Sequence, residues 1–193
     1  MCLTVTTPQG TYDSYCDDIS IDHLPNRRNL IGKVSAGNSV PDKGWVYLIS
    51  YDSISMVPYL IDSSKVDLSG YFTFNEIPAG YYLVRATLET KSIHYKQYMP
   101  TYYGQSLIWN FAKRYNLSSF GKGNSDLLII NLLSTRKSDS GDNTIDGQTS
   151  TRDNELNDDI VILYDNNGKP IGFAQLGPDG KFSFNDLPPG SYQ

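Results

Sequence analysis

Carboxylate and amide side chains cluster in two loops near the carboxyl-terminal end of the chain. The first loop, "DNELNDD", occupies residues 153–159, and the second, "DNNG", occupies residues 165–168. Calcium takes its ligands from clustered oxygen atoms of this kind. Two interpretations stay open, a calcium site or a pair of turns, because Asp, Asn and Gly also favour turns on their own account. The candidate calcium ligands are Asp153, Asp158, Asp159, Asp165 and Asn167.

The two cysteines, Cys2 and Cys16, lie in one amino-terminal segment, "CLTVTTPQGTYDSYCDDISI". Alternating residues on either side of Pro-Gln-Gly predict a β-hairpin with its turn centred near Gln9. This register places the cysteines opposite each other, where Cβ atoms are about 4.5–5.5 Å apart. A disulfide is therefore compatible with the hairpin and would indicate an oxidising compartment. Two unpaired thiols are the alternative.

Catalytic and metal-binding signatures other than these are missing from the sequence. The histidines are His23 and His94, and neither accompanies a G-x-S-x-G motif that would suggest a Ser-His-Asp triad. There is no CxxC or HxxxH motif to suggest zinc. The net charge of −5 argues against nucleic acid as a partner, and no apolar run is long enough to span a membrane. We expect no enzymatic activity and no required cofactor.

Four aromatic residues are candidates for stacking on sugar rings. Exposed aromatic side chains bind carbohydrate in this way, but in a small sandwich aromatic residues more often fill the core and its seams. The residues are Trp45, Tyr102, Tyr103 and Trp109.

The chain contains an internal repeat. "DLSGYFTFNEIPAGYYLV" at residues 67–84 returns as "GPDGKFSFNDLPPGSYQ" at residues 177–193. In each copy, a glycine opens a strand at a turn that needs positive φ, and two Phe residues spaced two apart point to one face. A Pro and a Gly then turn the chain back, and a Tyr begins the return strand facing the core. The matching pairs are Gly70 and Gly180, Phe72 and Phe182, Phe74 and Phe184, Pro78 and Pro188, Gly80 and Gly190, and Tyr82 and Tyr192.

Short strand patterns separated by turn residues predict an all-β protein of antiparallel sandwiches. We divide the chain into a hairpin at 1–21, a linker at 22–28, a first β-sandwich module at 29–134, a linker at 135–141 and a second module at 142–193. The second module lacks most of a return strand and a closing strand, so we expect a fragment cut at both ends. Its residues should be less stable than the first module, or complete themselves by pairing with a strand of another chain.

The repeated string, together with "LIGKV", "VYLISYD" and "IVILYDNNGKPI", resembles the carboxypeptidase regulatory-domain-like modules and their Cna B-type and SdrD B-like relatives. The resemblance covers most of residues 29–193 and implies tandem modules of immunoglobulin-like or prealbumin-like fold. Residues 5–21 resemble the last two strands of a PKD-type domain. Cna B-type relatives also imply a Lys-Asn isopeptide bond, for which Lys33, Asn131 and Glu76 are the candidates, against the alternative of solvent-facing polar residues.

These features predict a non-catalytic structural or adhesive segment of a larger secreted or cell-surface bacterial protein. Its partners would be neighbouring domains of the parent chain, with a surface protein or polysaccharide as a further partner. Two alternatives stay open: a carbohydrate-binding module of a secreted enzyme, and the regulatory domain of a metallopeptidase.

Overall fold

The structure, a computed structural model, describes residues 2–8, 10, 12–16, 27–51, 57–117, 127–135, 141–149 and 160–193. In these ranges every element is a β-strand, apart from two single-turn 3₁₀ helices at Tyr95–Gln97 and Trp109–Phe111. The prediction of an all-β protein is confirmed. None of the helices in this part of the chain has the length and apolar character needed to cross a membrane.

The amino-terminal segment forms the predicted hairpin. Strands β1 (Cys2–Thr6) and β2 (Tyr12–Cys16) pair antiparallel. The turn is closed by a hydrogen bond of 2.9 Å from the Gly10 amide to the Thr7 carbonyl. Gly10 adopts a φ of 83°, which glycine reaches without strain.

We call the described residues between 27 and 135 the first repeat. Its strands are β3 (Arg28–Ser35), β4 (Gly44–Tyr51), β5 (Pro58–Lys65), β6 (Tyr71–Ile77), β7 (Gly80–Leu88), β8 (Tyr98–Met99), β9 (Thr101–Tyr102), β10 (Tyr115–Leu117), β11 (Leu128–Asn131) and β12 (Leu133–Ser134). One sheet has the strand order β11-β3-β6, and the other has the order β10-β7-β4-β5 with β9 also paired to β7. Strand β8 pairs with β12.

The core of the first repeat lies between these two sheets. Alternate residues of each strand face inward, as the twofold period of a strand requires. Leu30, Val34, Phe72 and Phe74 come from one sheet, and Val46, Leu48, Val84 and Ala86 from the other, and all are buried. The result is a β-sandwich, as the strand pattern predicted.

One pairing departs from the expected antiparallel arrangement. Strand β11 runs parallel to β3, with Leu128 opposite Gly32 and Asn131 opposite Ser35. The first and the last long strands of the first repeat are therefore direct neighbours that point the same way.

We call residues 141–149 and 160–193 the second repeat. Strands β13 (Asn143–Gln148) and β16 (Lys181–Leu187) form one antiparallel pair, and β14 (Ile160–Tyr164) and β15 (Pro170–Gln175) form another. Leu163, Phe184 and Leu187 are buried between them. The second repeat thus reproduces the β3–β6 and β4–β5 pairs around its own small core.

Candidate functional site

Strand β5 lies at the end of its sheet and carries exposed apolar residues. Three consecutive residues are well exposed: Tyr59 at 41%, Leu60 at 45% and Ile61 at 39%. Strand β5 ends the order β10-β7-β4-β5, so its outer backbone groups face away from the sheet. An open apolar edge of this kind is a template for pairing with another strand.

A cleft of about 360 Å³ lies between the two repeats. Trp45 and Tyr95 line it from the first repeat, and Phe173 lines it from the second. The rings of Tyr95 and Phe173 meet edge to face, with centroids 5.5 Å apart. Polar lining comes from Glu89, Lys91 and Gln175. Aromatic and polar groups together line this cleft, a combination that suits a polar ligand with flat apolar faces.

The four predicted sugar-stacking residues do not share one surface. Trp45 lines the cleft, with the Lys65 ammonium 5.0 Å from its ring centroid. Trp109 packs on the outer face of the β4–β7 sheet against Tyr51, at 6.2 Å between centroids. Tyr102 is buried in that same outer cluster.

Tyr103 instead packs at the rim of the main core. Its ring lies 6.0 Å from that of Tyr115, and the Lys113 ammonium lies 5.4 Å from its centroid. Of the four aromatic residues, the structure brings Trp45 alone to the cleft. Sugar binding stays a prediction.

Two of the five predicted calcium ligands lie in a described turn. An Asp165 carboxylate oxygen accepts hydrogen bonds of 2.9 Å from the backbone amides of Asn167 and Lys169. Asp153, Asp158 and Asp159 lie outside the described residues. Within the described ranges, no three acidic, His or Cys side chains come together as a metal site. Calcium binding stays a prediction.

The hairpin register brings the two cysteines together. Cys2 is the direct partner of Cys16 across β1 and β2, so the predicted register is confirmed. The disulfide itself stays a prediction. Of the histidines, His23 lies outside the described residues, and the ring of His94 lies 3.4 Å from the Gln97 side-chain oxygen.

The three candidates for an isopeptide bond make contacts with different partners. The Lys33 ammonium lies 5.1 Å from the centroid of the Tyr71 ring. Asn131 accepts a hydrogen bond of 2.5 Å from the Ser35 hydroxyl. The Glu76 carboxylate lies 3.7 Å from the Arg27 guanidinium. These contacts do not assemble the lysine, amide and buried acid that the bond requires.

The sequence did not predict a hydrogen bond that joins two distant loops of the first repeat. The Ser92 hydroxyl donates a hydrogen bond of 2.5 Å to the Asp42 carboxylate, which joins the loop before β4 to the turn after β7. This bond, with a further one from the Ile93 amide, holds the pKa of Asp42 below its usual value. "VPDKG" gives no signal of a partner 50 residues away.

A second missed feature is a buried cation. Arg85 in β7 is buried, and its guanidinium lies 5.7 Å from the centroid of the Tyr102 ring. On the other face of the same strand, Tyr82 lies in the main core, and its pKa is raised by burial and further by Tyr59. Arg85 is covered by Tyr102, which comes from a segment distant in sequence, so the local pattern of β7 gives no signal of its burial.

Comparison with known proteins gives distant similarities. No family model matches the chain. Colossin-A from Dictyostelium discoideum is 25% identical over 194 residues, which cover 99% of this chain but 2% of that protein. The chain therefore spans about one fiftieth of the length of that relative. The solved Bacillus anthracis TIE protein aligns with 85% of this chain and 27% of its own, at a TM-score of 0.34 and 16% identity.

Proposed function

We propose that this chain is a non-catalytic structural or adhesive segment of a larger secreted or cell-surface multidomain protein. The observation that carries this proposal is the repetition of one strand plan. The β3–β6 and β4–β5 pairs return as β13–β16 and β14–β15 with the same partners opposite each other. Tandem copies of one small unit lengthen a protein and multiply its surface.

Similarity over nearly the whole chain to a small part of a much longer protein supports this proposal. Strand β5 supports an adhesive contribution, since it ends its sheet and presents exposed apolar residues. Carboxypeptidase regulatory-domain-like modules and a preceding PKD-type domain are the module types that we propose. A bacterial source, and neighbouring domains, a surface protein or a polysaccharide as partners, belong to the same proposal.

Display of the chain on a cell surface tests the structural and adhesive roles separately. The chain is placed between a membrane anchor and a reporter domain, and is then exchanged for an unrelated tandem sandwich of equal length. Retained reporter access after the exchange supports a structural role. Cell–cell or cell–surface attachment that is lost on exchange supports adhesion. Turnover of peptidase, glycosidase or esterase substrates by the purified chain would contradict both.

Carbohydrate binding at the cleft is the second candidate function. The position of Trp45 beside Glu89, Lys91 and Gln175 favours it, because sugar recognition combines a stacking ring with polar groups. We expect a Trp45→Ala chain to lose binding on a glycan array. A Trp109→Ala chain is the matched control, since that ring packs elsewhere against Tyr51. Equal binding by both variants, or no binding by the unaltered chain, would argue against this site.

Secretion is tested by the cysteines. Because Cys2 and Cys16 are direct partners in the hairpin, chain made in an oxidising compartment should carry one disulfide. Mass measurement with alkylation before and after reduction counts the free thiols. Two free thiols in that material would remove the argument for an oxidising compartment.

A further inference from the structure

The parallel contact between β3 and β11 joins the strands nearest the two ends of the first repeat. Strand β3 begins at Arg28, and β12, which directly follows β11, ends at Ser134. Tension carried along the chain therefore enters the first repeat at the start of β3 and leaves it just after β11. The two strands point the same way, so this tension pulls them in opposite directions along their common axis.

The direction of pull decides how the hydrogen bonds share the force. When neighbouring strands slide lengthwise, all the bonds between them are strained together. When a hairpin is opened from its ends, its bonds break one after another. Parallel strands that are pulled at opposite ends slide lengthwise, so their bonds are strained together. The β14–β15 hairpin of the second repeat, pulled at its two ends, opens one bond after another.

Further contacts fix both strands in place. The inward residues Leu128 and Ile130 of β11 are buried in the main core. Ser35 in β3 donates its side-chain hydrogen bond to Asn131 in β11, and the Leu132 amide donates to the Ser35 carbonyl at 2.8 Å.

The exit of the chain is also anchored. The Leu133 amide donates a hydrogen bond of 2.9 Å to the hydroxyl of Thr101, which is fully buried. Thr135 donates through its amide to the Gln97 carbonyl and through its hydroxyl to the Lys96 carbonyl, both at 2.8 Å. Tension reaching β11 from the carboxyl-terminal side first meets these bonds.

We propose that β3 and β11 form a mechanical clamp by which the first repeat resists tension applied through its two ends. This inference rests on the proposed structural role and specifies it. Three observations support it. The chain enters and leaves the first repeat beside these two strands, the strands run in the same direction, and hydrogen bonds hold the segment that follows β11.

Backbone alternation identifies the residues that test the clamp. The Val34 amide donates to the Gly70 carbonyl on the β6 side, so the amides of Lys33 and Ser35 face β11. On β11, the amide of Leu132 faces β3, so that of Ile129 faces away. Ile129 is 52% exposed, which makes proline tolerable there.

Single-molecule force spectroscopy on the full chain measures the clamp. Unfolding of residues 28–134 should release about 107 residues, roughly 370 Å of extended chain. We expect Ser35→Pro to lower the force of this event by about a quarter or more, since it removes one of about four backbone bonds between the strands and also the Ser35 hydroxyl bond to Asn131. Ile129→Pro should leave the force unchanged. Equal forces for the unaltered chain and Ser35→Pro would overturn the clamp.

A second pulling direction keeps the test decisive if Ser35→Pro fails to fold. Arg27 and Glu76 are exposed and lie together at one end of the antiparallel β3–β6 pair, so force applied through Arg27→Cys and Glu76→Cys, in a chain where Cys2 and Cys16 are serine, opens that pair one bond at a time. We expect this direction to unfold the first repeat at a clearly lower force than tension applied through the two ends of the chain. Equal forces in the two directions would overturn the clamp. A weak clamp without any catalytic turnover leaves the proposed structural role standing.

Discussion

The two repeats share their strand registers down to the irregularities. Leu30 lies opposite Phe74 in the first repeat, and Ile145 lies opposite Phe184 in the second. A register shift follows Leu48 in β4, and the same shift follows Leu163 in β14. The short motif therefore determines which residues face each other in both copies.

The two repeats differ in the strands that cover their cores. In the first repeat, β7 pairs with β4 all along Gly44 to Ile49. In the described part of the second repeat, the end of β14 pairs on that side with the last two residues of the chain: Tyr164 bonds with Gln193 at 2.8 and 3.0 Å, and Asp165 lies opposite Tyr192. Its core residues are correspondingly less enclosed: Phe182 is half-buried, whereas its counterpart Phe72 is buried. A strand plan can thus repeat faithfully while burial depends on the neighbouring strands.

The largest effect should come from emptying the two cores at equivalent positions. Phe74→Ala should cost about 3–5 kcal/mol, because it leaves a cavity between two packed sheets. Phe184→Ala should cost about half as much, because three buried residues form that core. Urea unfolding followed by hydrogen exchange of peptides from each repeat measures both values. Equal costs would show that the second core is as tightly packed as the first.

The glycines opposite the first Phe of each motif should give the next largest effect. A Cβ at Gly32 would meet the Phe72 ring and, at 2.6 Å, the backbone oxygen of Leu128 in β11. At Gly147 the nearest atoms all belong to the half-buried Phe182 ring, which can move.

We therefore expect Gly32→Ala to destabilise the first repeat by about 1–3 kcal/mol. Gly147→Ala should cost under about 1 kcal/mol, since the three nearest atoms all belong to the half-buried Phe182 ring, which can move. The same exchange measurement separates them. A larger cost at Gly147 would mean that the Phe182 ring is held as firmly as Phe72.

Much of this comparison was predictable from the spacing of the motif. Positive φ was expected at Gly70 and Gly180, which adopt 86° and 76°. The inward orientation of Phe72, Phe74 and Tyr82 was also expected, and all three are buried. These features follow from the twofold strand period and from turns, which are local.

The remainder depends on contacts between distant segments. "DLLIINLL" predicts a strand but carries no information on its neighbour, so its parallel pairing with β3 was not foreseen. The surroundings of Trp45 and Trp109 depend on which part of the outer face of the sheet is covered by other segments. Residues of the 97–117 segment cover the part where Trp109 packs. Alternation cannot distinguish two aromatic residues whose surroundings are decided by chain folding elsewhere.

The tyrosine that ends each motif should give a smaller difference. The Tyr82 hydroxyl donates to the Pro78 carbonyl at 2.8 Å, and the Tyr192 hydroxyl donates to the Pro188 carbonyl at 2.5 Å. Tyr82→Phe should cost about 1 kcal/mol because its hydroxyl bond lies at a buried ring. Tyr192→Phe should cost about 0.5 kcal/mol or less, as its ring is half-buried and water can replace the bond. Equal losses in thermal melts would contradict this distinction.

The smallest effects should come from one carboxylate in each repeat. The Ser92 hydroxyl lowers the pKa of Asp42, whereas the Lys181 ammonium, 2.8 Å away, lowers the pKa of Asp179. A lowered pKa means that each ionised group stabilises the fold above the usual Asp range, and that this contribution is lost as pH falls through the lowered pKa. Asp42→Asn and Asp179→Asn should therefore lower the melting temperature slightly at pH 7 and not at about pH 2.

Salt distinguishes the two carboxylates, because their partners differ in charge. Asp179 and Lys181 form an exposed ion pair, which about 1 M salt screens within a few ångströms. Asp42 accepts its bond from an uncharged hydroxyl, so screening should weaken it little. We expect salt to remove the effect of Asp179→Asn at pH 7 and to leave that of Asp42→Asn. If both effects disappear in salt, then charge rather than the Ser92 hydrogen bond stabilises the Asp42 loop, and the carboxylates of both repeats act through charge.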